Sequence, residues 1–522
     1  MKAITVTILT SKNLQAIMKI MRKIMMALMP ILMVCCSAGS IDDGRKEKFS
    51  VSDNVMSGLT IGGGSFTREY QVTCDADWEI VRRAGQQWIN ITPSKGSGNG
   101  TVTVLAEANV SGQRRRAFFD VKINGAKTYV IEVLQTIGGL DDDDPGQGNP
   151  GEGDKPVMDE VFPILAWEDI PVDKSAERFP SMKAAGINTY LGVYQDKQTV
   201  LNVLDIAKDA GVKLIVQCPE LLTSPAATAQ SLMGHPALYG YFIEDEPEIK
   251  DFTKWGEIVS AIRSVDSRHV CYINLYPNWA WGKEEKYADN VAQYLNSVPV
   301  QMLSFDNYPV VSLDGAPNSL RYDWYHNLEV ILAASKSKNI PFWAFARVNS
   351  KEWEYEGQKI LYPIPTTQEL RAQMFTNLAY GAQGLQYFTY WGIETNTGKT
   401  RCYERVQAVN KEIMALSDVF LGCNVISVGH TGTLPVGTKA LGQLPSVFSK
   451  FETSSGAVVS HIENGDKYYL VIVNRSISEP MTLTLSVDSS VQRVLKTGQS
   501  EPVSKPSYTI AEGDMEIFTW NK

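Results

Sequence analysis

The stretch VLNVLDIAKDAGVKLIVQ, residues 200–217, decides the fold class. Its first half places apolar residues at the i, i+3, i+4, i+7 spacing of one helical face: Val200, Val203, Leu204 and Ala207. Gly211 then ends the helix, and the apolar run 212–217 has the length of a buried strand. A helix followed at once by a fully buried strand is typical of a parallel sheet covered by helices.

The same rhythm continues on both sides of this unit, over residues 158–421. A second helical stripe is formed by Trp255, Ile258, Val259 and Ile262. The candidate strands are 162–167, 189–194, 213–217, 238–244, 270–275, 302–305, 342–346 and 384–390. Eight strand–helix repeats over roughly 250 residues predict a (β/α)8 barrel. An open doubly wound sheet is the alternative, and it is disfavoured because no G-x-G-x-x-G follows the first strand.

The remaining segments predict a multidomain chain with a β-sandwich on each side of the barrel. Residues 48–137 and 422–522 contain short alternating runs separated by turn residues, which is typical of strands in a sandwich. Residues 138–157 include the acidic, Gly/Pro-rich run DDDDPGQGNPGEGDK. Such a run cannot bury a core, so we expect a linker there.

The first 40 residues predict an export segment. A basic pair at 22–23 precedes the apolar run 24–34, which is followed by Cys35, Cys36 and small residues. This pattern resembles a bacterial lipoprotein signal, which implies an acyl chain on Cys35 or Cys36. Val stands before Cys35 where that family has Gly or Ala. We expect an exported protein, either an outer-membrane or cell-surface lipoprotein or a periplasmic protein, that touches the membrane only through its lipid anchor.

Composition excludes several classes of function. The net charge of −9 over 522 residues gives no basic stripe for nucleic acid. The five histidines are scattered without metal-ligand spacing, so we expect neither a catalytic metal nor an organic cofactor. The 22 Tyr and 11 Trp serve either as ordinary core residues or as platforms for sugar rings. We expect a monomer with a polysaccharide or oligosaccharide as its partner.

Catalytic groups of a barrel come from the C-terminal ends of its strands. The candidates at the predicted strand ends are Trp167, Glu168, Asp245, Glu246, Asn274, Tyr276, Asp306, Tyr308 and Trp391. Three carboxylates are consecutive at the end of strand 4, which raises the pKa of at least one of them. Separated carboxyl pKa values suit an acid catalyst beside an ionised partner. The structural alternative is that these acidic residues, next to Pro247, cap the following helix.

Three segments of the predicted barrel resemble clan A glycoside hydrolases. YGYFIEDEP at 239–247 is similar to strand 4 of that clan, where an Asn-Glu-Pro carries the general acid/base. The resemblance implies that Glu246 is the acid/base and that Asp245 replaces the Asn. SFDNYP at 304–309 and YFTYW at 387–391 resemble substrate-facing strand ends, which implies that Trp391 stacks on a sugar. The barrel also resembles poorly characterised Bacteroidetes proteins described as β-galactosidase-like.

One departure from the clan concerns its nucleophile, a Glu at the end of strand 7. Residues 342–349 contain no carboxylate. Either strand 7 is misregistered, or a Glu reaches in from the following loop, or a carboxylate of another strand end serves. The loop candidates are Glu352, Glu354 and Glu356, and the others, in order of preference, are Asp306, Glu168 and Glu220. With Asp306 as partner, a carboxyl separation of about 6.5–9.5 Å predicts inversion and about 5–5.5 Å predicts retention.

The N-terminal sandwich resembles a BACON domain, a Bacteroidetes module found in carbohydrate-active proteins. The resemblance rests on Trp78, Trp88 and the turn PSKGSG at 93–98. It implies either carbohydrate binding or a spacer. The two tryptophans are accordingly either sugar platforms or core residues.

The leading hypothesis is a glycoside hydrolase that cleaves O-glycosidic bonds of a polysaccharide, with Glu246 as proton donor. The runner-up is a catalytically inactive cell-surface glycan-binding protein, which the missing strand-7 Glu favours. A purely structural surface protein would require a barrel mouth without polar and aromatic strand ends. The barrel topology predicts that Glu246, Asp306, Tyr308 and Trp391 face one cleft.

Overall fold

The structure is a computed structural model. It describes residues 49–52, 59–61, 64–83, 86–109, 115–135, 161–168, 170–281, 286–355 and 357–522. The chain divides into two compact units, Met1–Asp142 and Asp143–Lys522. Cys35, Cys36, the whole linker segment 138–157 and Glu356 lie outside the described residues, so the predictions made for them stay predictions. Within the described ranges, no helix has the length and apolar character needed to cross a membrane.

The first unit contains two β-sheets packed around one core. Its strands are β1 (Phe49–Val51), β2 (Leu59–Ile61), β3 (Phe66–Cys74), β4 (Asp77–Arg82), β5 (Ile89–Thr92), β6 (Lys95–Ser97), β7 (Gly100–Ala106), β8 (Arg115–Ile123) and β9 (Ala126–Gln135). The sheet orders are β1-β3-β7-β5 and β2-β9-β8-β4-β6. Trp78 is buried in this core and its indole N–H donates to the Gly98 carbonyl at 2.9 Å, so it is a core residue. Trp88 is partly exposed, and the Arg115 guanidinium lies 4.5 Å from its ring centre.

The barrel region of the second unit contains fourteen strands among the residues described. They are β10 (Ile164–Trp167), β11 (Thr189–Val193), β12 (Lys213–Gln217), β13 (Leu238–Asp245), β14 (Val270–Leu275), β15 (Leu303–Phe305), β16 (Val310–Leu313), β17 (Ser319–Leu320), β18 (Phe342–Arg347), β19 (Lys351–Tyr355), β20 (Gln358–Tyr362), β21 (Gly384–Phe388), β22 (Glu394–Thr395) and β23 (Gly398–Lys399). Eight parallel strands close in the order β10-β11-β12-β13-β14-β15-β18-β21. The predicted (β/α)8 barrel is therefore confirmed, and the open-sheet alternative is wrong.

Helices connect these strands and surround the barrel. They are α1 (Ser175–Ala184), α2 (Lys197–Asp209), α3 (Pro219–Thr223), α4 (Pro225–Leu232), α5 (Phe252–Arg263), α6 (Tyr287–Ser297), α7 (Trp324–Lys338), α8 (Thr367–Ala379), α9 (Cys402–Ala415) and α10 (Ser417–Phe420), with 3-10 turns at Val172–Lys174, Ile249–Asp251 and Tyr390–Gly392. The predicted stripe of α2 is fully buried. Its N-terminus is capped by Asp196, which accepts the Thr199 N–H at 2.7 Å. The chain leaves α2 through Gly211, whose φ of 65° is left-handed and therefore suits glycine.

The barrel interior is filled by alternating side chains below its C-terminal mouth. On β18, Trp343 and Phe345 belong to the interior cluster, while Ala344 and Ala346 pack outward against helices. Trp167 of β10 and Tyr272 of β14 belong to the same interior cluster. The barrel is therefore filled by a packed core.

The C-terminal part of the second unit is antiparallel. Its strands are β24 (Asn424–His430), β25 (Phe448–Thr453), β26 (Ala457–Asn464), β27 (Lys467–Asn474), β28 (Met481–Val487), β29 (Gln492–Val494), β30 (Ser500–Pro502), β31 (Ser507–Ile510) and β32 (Met515–Asn521). They form the sheets β24-β26-β27-β32-β29-β30 and β25-β28-β31, which confirms the predicted second sandwich. Helix α8 contacts both the barrel strand β18 and the sheet strand β27, so it is buried on nearly all sides. Thr366 and Glu369 form a capping box at its start.

Candidate active site

A buried hydrogen-bond network forms the floor of the mouth. The Tyr272 hydroxyl lies 2.8 Å from Ser304 Oγ and donates to the Gln386 side-chain carbonyl. Gln386 donates to Ser304 Oγ at 2.9 Å, and Ser304 Oγ donates to Asn274 Oδ1 at 2.9 Å. The Trp167 indole N–H donates to Tyr272 Oη at 3.2 Å. The predicted site residues Trp167 and Asn274 thus lie in this floor, where a connected polar network keeps them in place.

A β-bulge in β13 directs Asp245 toward this network. The register of β13 against β14 shifts between Phe242 and Glu244, so that Asp245 pairs with Asn274. The Asn274 side-chain amide donates to Asp245 Oδ1 at 3.2 Å. Gln217 donates to the two carbonyl oxygens at the bulge, Phe242 and Ile243, at 3.2 Å each. A bulge bends a strand and re-aims its side chains, which is what happens at this strand end.

Glu246 follows Asp245 in a left-handed backbone conformation, with φ of 53°. Its N–H donates to the Asn274 carbonyl at 2.8 Å, which continues the strand ladder past the bulge. The next helical turn begins only at Ile249, and α5 begins at Phe252 without a capping side chain. The structural alternative, in which the acidic run caps a helix, is therefore wrong. Glu168, at the end of β10, is left-handed as well, with φ of 38°; such non-glycine residues are uncommon and concentrate at functional sites.

Asp306 is the buried carboxyl group of the mouth. Its side chain is 9% exposed, and Oδ1 has no hydrogen-bond partner within the described structure. Burial, and next to it the negative charge of Asp245, raise the pKa of Asp306 to about 8, although a hydrogen bond from Tyr308 and the charge of Arg347 act in the opposite direction. Asp306 therefore retains its proton at neutral pH beside a negatively charged neighbour.

Two tyrosines show that the predicted carboxyl groups share one neighbourhood. Burial, followed by the charges of nearby carboxylates including Glu246, Asp245 and Asp306, raises the pKa of Tyr276. The pKa of Tyr308 is raised well above its ordinary value by burial and then by Asp306. Both phenols are therefore neutral hydrogen-bond donors at the mouth. The structure thus brings the candidate acids of strands 4 and 6 together, as the barrel topology predicts.

Strand 7 carries a cation where the resembled clan has its nucleophile. β18 pairs with β15 and β21 in continuous register through Arg347, so the alternative of a misregistered strand is wrong. Arg347 is 7% exposed, and its guanidinium lies over three rings, 5.1 Å from Tyr308, 4.6 Å from Tyr362 and 5.4 Å from Phe388. Its Nε donates to the Asn349 carbonyl at 3.1 Å. Of these residues, reasoning from the sequence selected only Tyr308; it missed Arg347, Tyr362 and Phe388.

The other candidate carboxylates that the structure describes are more exposed than Asp306. Glu352 and Glu354 are exposed on the β19–β20 hairpin. Glu220 accepts the Lys197 N–H at 3.2 Å and so holds the start of α2. Glu168 is partly exposed after β10. Among the candidates that the structure describes for the second carboxylate, Asp306 alone is buried at the mouth.

The aromatic side chain that strand 8 presents to the mouth is Phe388. Its ring centre lies 5.2 Å from that of Tyr308. Strict alternation on β21, where Gln386 points inward, would have indicated this position. The Phe388–Thr389 peptide bond is cis. Trp391 follows in a 3-10 turn and is 45% exposed, so its sugar-stacking role stays a prediction.

An aromatic pair lies on the loops at the C-terminal side of the barrel. The loops after β15 and β18 form a four-stranded sheet in the order β17-β16-β20-β19, which presents Trp353. The loop after β14 presents Trp279, which is 37% exposed, and the two ring centres are 6.3 Å apart. The Arg321 guanidinium lies 5.0 Å from the Trp279 ring and pairs with Asp323. Neither tryptophan was a predicted site residue, because neither lies at a strand end.

Across the described ranges, no three His, Cys, Asp or Glu side chains are grouped closely enough to hold a metal ion.

Comparison with solved structures finds carbohydrate-active enzymes. A Bacteroides ovatus GH5 xyloglucanase in complex with an XXXG heptasaccharide has 12% sequence identity, a TM-score of 0.30, and coverage of 69% of this chain and 99% of its own. A Ruminococcus gnavus β-glucuronidase has 12% identity and a TM-score of 0.35, covering 70% of this chain and 67% of its own. An endo-1,4-β-mannanase from Rhizomucor miehei has 11% identity and a TM-score of 0.33, covering 51% and 99%. At these scores the similarities do not assign an activity.

Comparison with curated protein sequences gives no match. Comparison with family models matches residues 69–136 to BACON, a putative N-terminal binding domain. This segment covers strands β4 to β9 and most of β3. The N-terminal sandwich of this chain is a BACON domain.

Proposed function

We propose that this chain is a glycoside hydrolase that cleaves O-glycosidic bonds of a polysaccharide with the carboxyl groups of Asp306 and Glu246. One observation carries the proposal: Asp306, a buried carboxyl group whose Oδ1 has no partner in the described structure and whose pKa is raised by burial, lies at the mouth of a closed barrel beside further carboxylates. Glycoside hydrolysis needs two carboxyl groups whose environments separate their pKa values.

Asp306 is the proton donor in this proposal. Its proton is held at neutral pH by burial and by the neighbouring Asp245 charge. Glu246 is partly exposed and acts as the nucleophile or as the base for water. The sequence resemblance assigned proton donation to Glu246, so the experiment below distinguishes the two orders. Asp245, held by Asn274, acts through Asp306 as a positioning residue.

A polymeric substrate is supported by the aromatic pair of Trp279 and Trp353. Sugar rings stack on aromatic faces, and these two rings lie on loops outside the strand ends. A polymer bound at the mouth has further sugar units that can contact this pair. A monosaccharide derivative has none.

The test is turnover of polysaccharides and aryl glycosides by the purified chain, with analysis of the products. Asp306→Asn and Glu246→Gln should each lower polysaccharide turnover by about 10²- to 10⁴-fold. With an aryl glycoside whose leaving group needs no proton, the donor variant should regain cleavage and the other variant should not. Glu354→Gln is the matched control, since its carboxylate is exposed on the β19–β20 hairpin, and it should keep wild-type turnover.

Rescue of Glu246→Gln in place of Asp306→Asn would show that the two residues have the opposite roles, and the proposed reaction would stay the same.

The glycan-binding alternative is supported by Arg347, which occupies the strand-7 position of the missing carboxylate. Binding of a glycan without turnover of any substrate would establish the glycan-binding alternative and refute the proposed hydrolase activity.

A further inference from the structure

Arg347 is a buried cation without a counter-ion. No carboxylate within the described part of the chain lies at ion-pair distance from it, and its one side-chain hydrogen bond runs from Nε to the Asn349 carbonyl. Removing a charge from water without a partner is costly, so a protein keeps such a group only where something else compensates for it.

The surroundings of the guanidinium leave its terminal nitrogens available. The rings of Tyr308, Tyr362 and Phe388 hold the cation over their faces, which stabilises its charge and restricts its movement. These contacts use no N–H group of Nη1 or Nη2. Neither Nη1 nor Nη2 has a hydrogen-bond partner among the residues that the structure describes.

The position of Arg347 on β18 directs its Nη1 and Nη2 donors into the mouth. Trp343 and Phe345 point into the barrel, and Arg347 is the next residue with the same parity on β18. Asp306 is a carboxyl group whose charge acts on the arginine, and burial together with the Asp245 charge favours its protonated form. A protonated carboxyl group does not neutralise the arginine.

We propose that Arg347 binds an acidic substituent of the substrate, a ring carboxylate or a sulfate ester, through charge-assisted hydrogen bonds. The substrate is then an acidic glycan. This inference deepens the proposed function and rests on it only in treating the bound glycan as a substrate. A planar guanidinium matches the oxygens of a carboxylate or a sulfate with two parallel hydrogen bonds. An acidic sugar supplies the counter-ion that the described chain lacks, and a neutral sugar does not.

The test measures binding by calorimetry or ligand-observed NMR at near-neutral pH and fixed salt. The probes are glucuronate and galacturonate, their neutral counterparts glucose and galactose, and glucose 6-sulfate. We expect wild type to bind at least one acidic sugar about 10- to 100-fold more tightly than its neutral counterpart, the range of a charge-assisted hydrogen-bonded pair. Arg347→Gln should abolish this preference. Arg401→Gln, which removes an exposed positive charge after β23, should retain it.

Selective binding of the uronates or of glucose 6-sulfate identifies which substituent Arg347 binds, a carboxylate or a sulfate ester. Equal affinity for acidic and neutral sugars in wild type, or a preference that survives in Arg347→Gln, would overturn the inference. If Arg347→Gln does not fold, Arg347→Lys decides: a fall in the preference of about 5-fold or more supports the bidentate contact, and an unchanged preference refutes it. Turnover is measured separately. An Arg347-dependent preference without hydrolysis would therefore refute the proposed hydrolase activity and still support the binding site at Arg347.

Discussion

Replacing Asp306 with Asn changes how stability depends on pH, and no substrate is needed to observe it. In the folded chain, burial and the Asp245 charge raise the pKa of Asp306 from 3.8 to about 8. Between these two pH values the folded state binds more protons than the unfolded state. The free energy of unfolding therefore falls as pH rises through this window, by the linkage between proton binding and folding.

The magnitude follows from the two pKa values. Each pKa unit corresponds to about 1.36 kcal/mol, so the full window from 3.8 to about 8 amounts to a loss on the order of 6 kcal/mol in wild type. Asn has nearly the size of a protonated Asp and does not ionise. We expect Asp306→Asn to equal wild type in stability near pH 4 and to exceed it by an amount approaching this figure near pH 9.

The measurement is urea unfolding of wild type and variant at several pH values, followed by tryptophan fluorescence. The difference between the two midpoints is the quantity of interest, because the chain has several domains and a single unfolding free energy is not defined for it. Glu354→Gln, at an exposed carboxylate, serves as the control and should show no such difference. A wild-type-minus-Asp306→Asn difference that stays constant across the pH range would refute the assignment of a raised pKa.

Three further outcomes follow. Wild-type turnover should decline as pH rises through about 8, since the Asp306 proton is lost there, and a rate that keeps rising would contradict Asp306 as donor. Trp279→Ala should weaken polysaccharide binding about 10-fold and spare aryl glycosides, because stacking on one exposed ring is worth roughly 1–2 kcal/mol; Trp391→Ala measured beside it shows which ring the polymer uses. Replacing Cys35 and Cys36 together with Ser should release the protein from membrane fractions, and unchanged membrane association would refute the predicted lipid anchor.

The barrel could be predicted from sequence because the apolar pattern of its strands and helices reflects which of their faces are buried. The predicted strands 213–217 and 270–275 coincide with β12 and β14, which are mainly apolar because helices cover one face and the barrel core the other. The stripe of α2 was visible because its other face meets water. Helix α8 shows no such stripe. It is packed between the barrel and the C-terminal sheet, so residues all around it are buried, polar ones such as Gln373 and Asn377 included, and apolar periodicity carries no signal.

The site was only partly predictable, because strand ends can be located from sequence while contacts across the barrel cannot. The resemblance and the topology indicated Asp245, Glu246 and Asp306. Nothing in the sequence linked Arg347 to Tyr362, since they lie on different elements that meet only after the β19–β20 hairpin has folded back. The aromatic residue of strand 8 was assigned to Trp391 by resemblance, whereas alternation on β21 places Phe388 at the mouth.

The strongest argument for a functional mouth is the backbone of strand 4 itself. Consecutive side chains of a regular strand point to opposite faces, so Asp245 and Glu246 could not both act on one site. The bulge places Asp245 opposite Asn274, and the left-handed φ of Glu246 then turns the chain so that both charges act on Tyr276 and Tyr308. This arrangement carries a backbone cost of about 1–3 kcal/mol and brings like charges together. A chain selected only to form a barrel would be more stable without the strained backbone and without the adjacent like charges. Their presence at one strand end is therefore better explained by a catalytic role than by the stability of the fold.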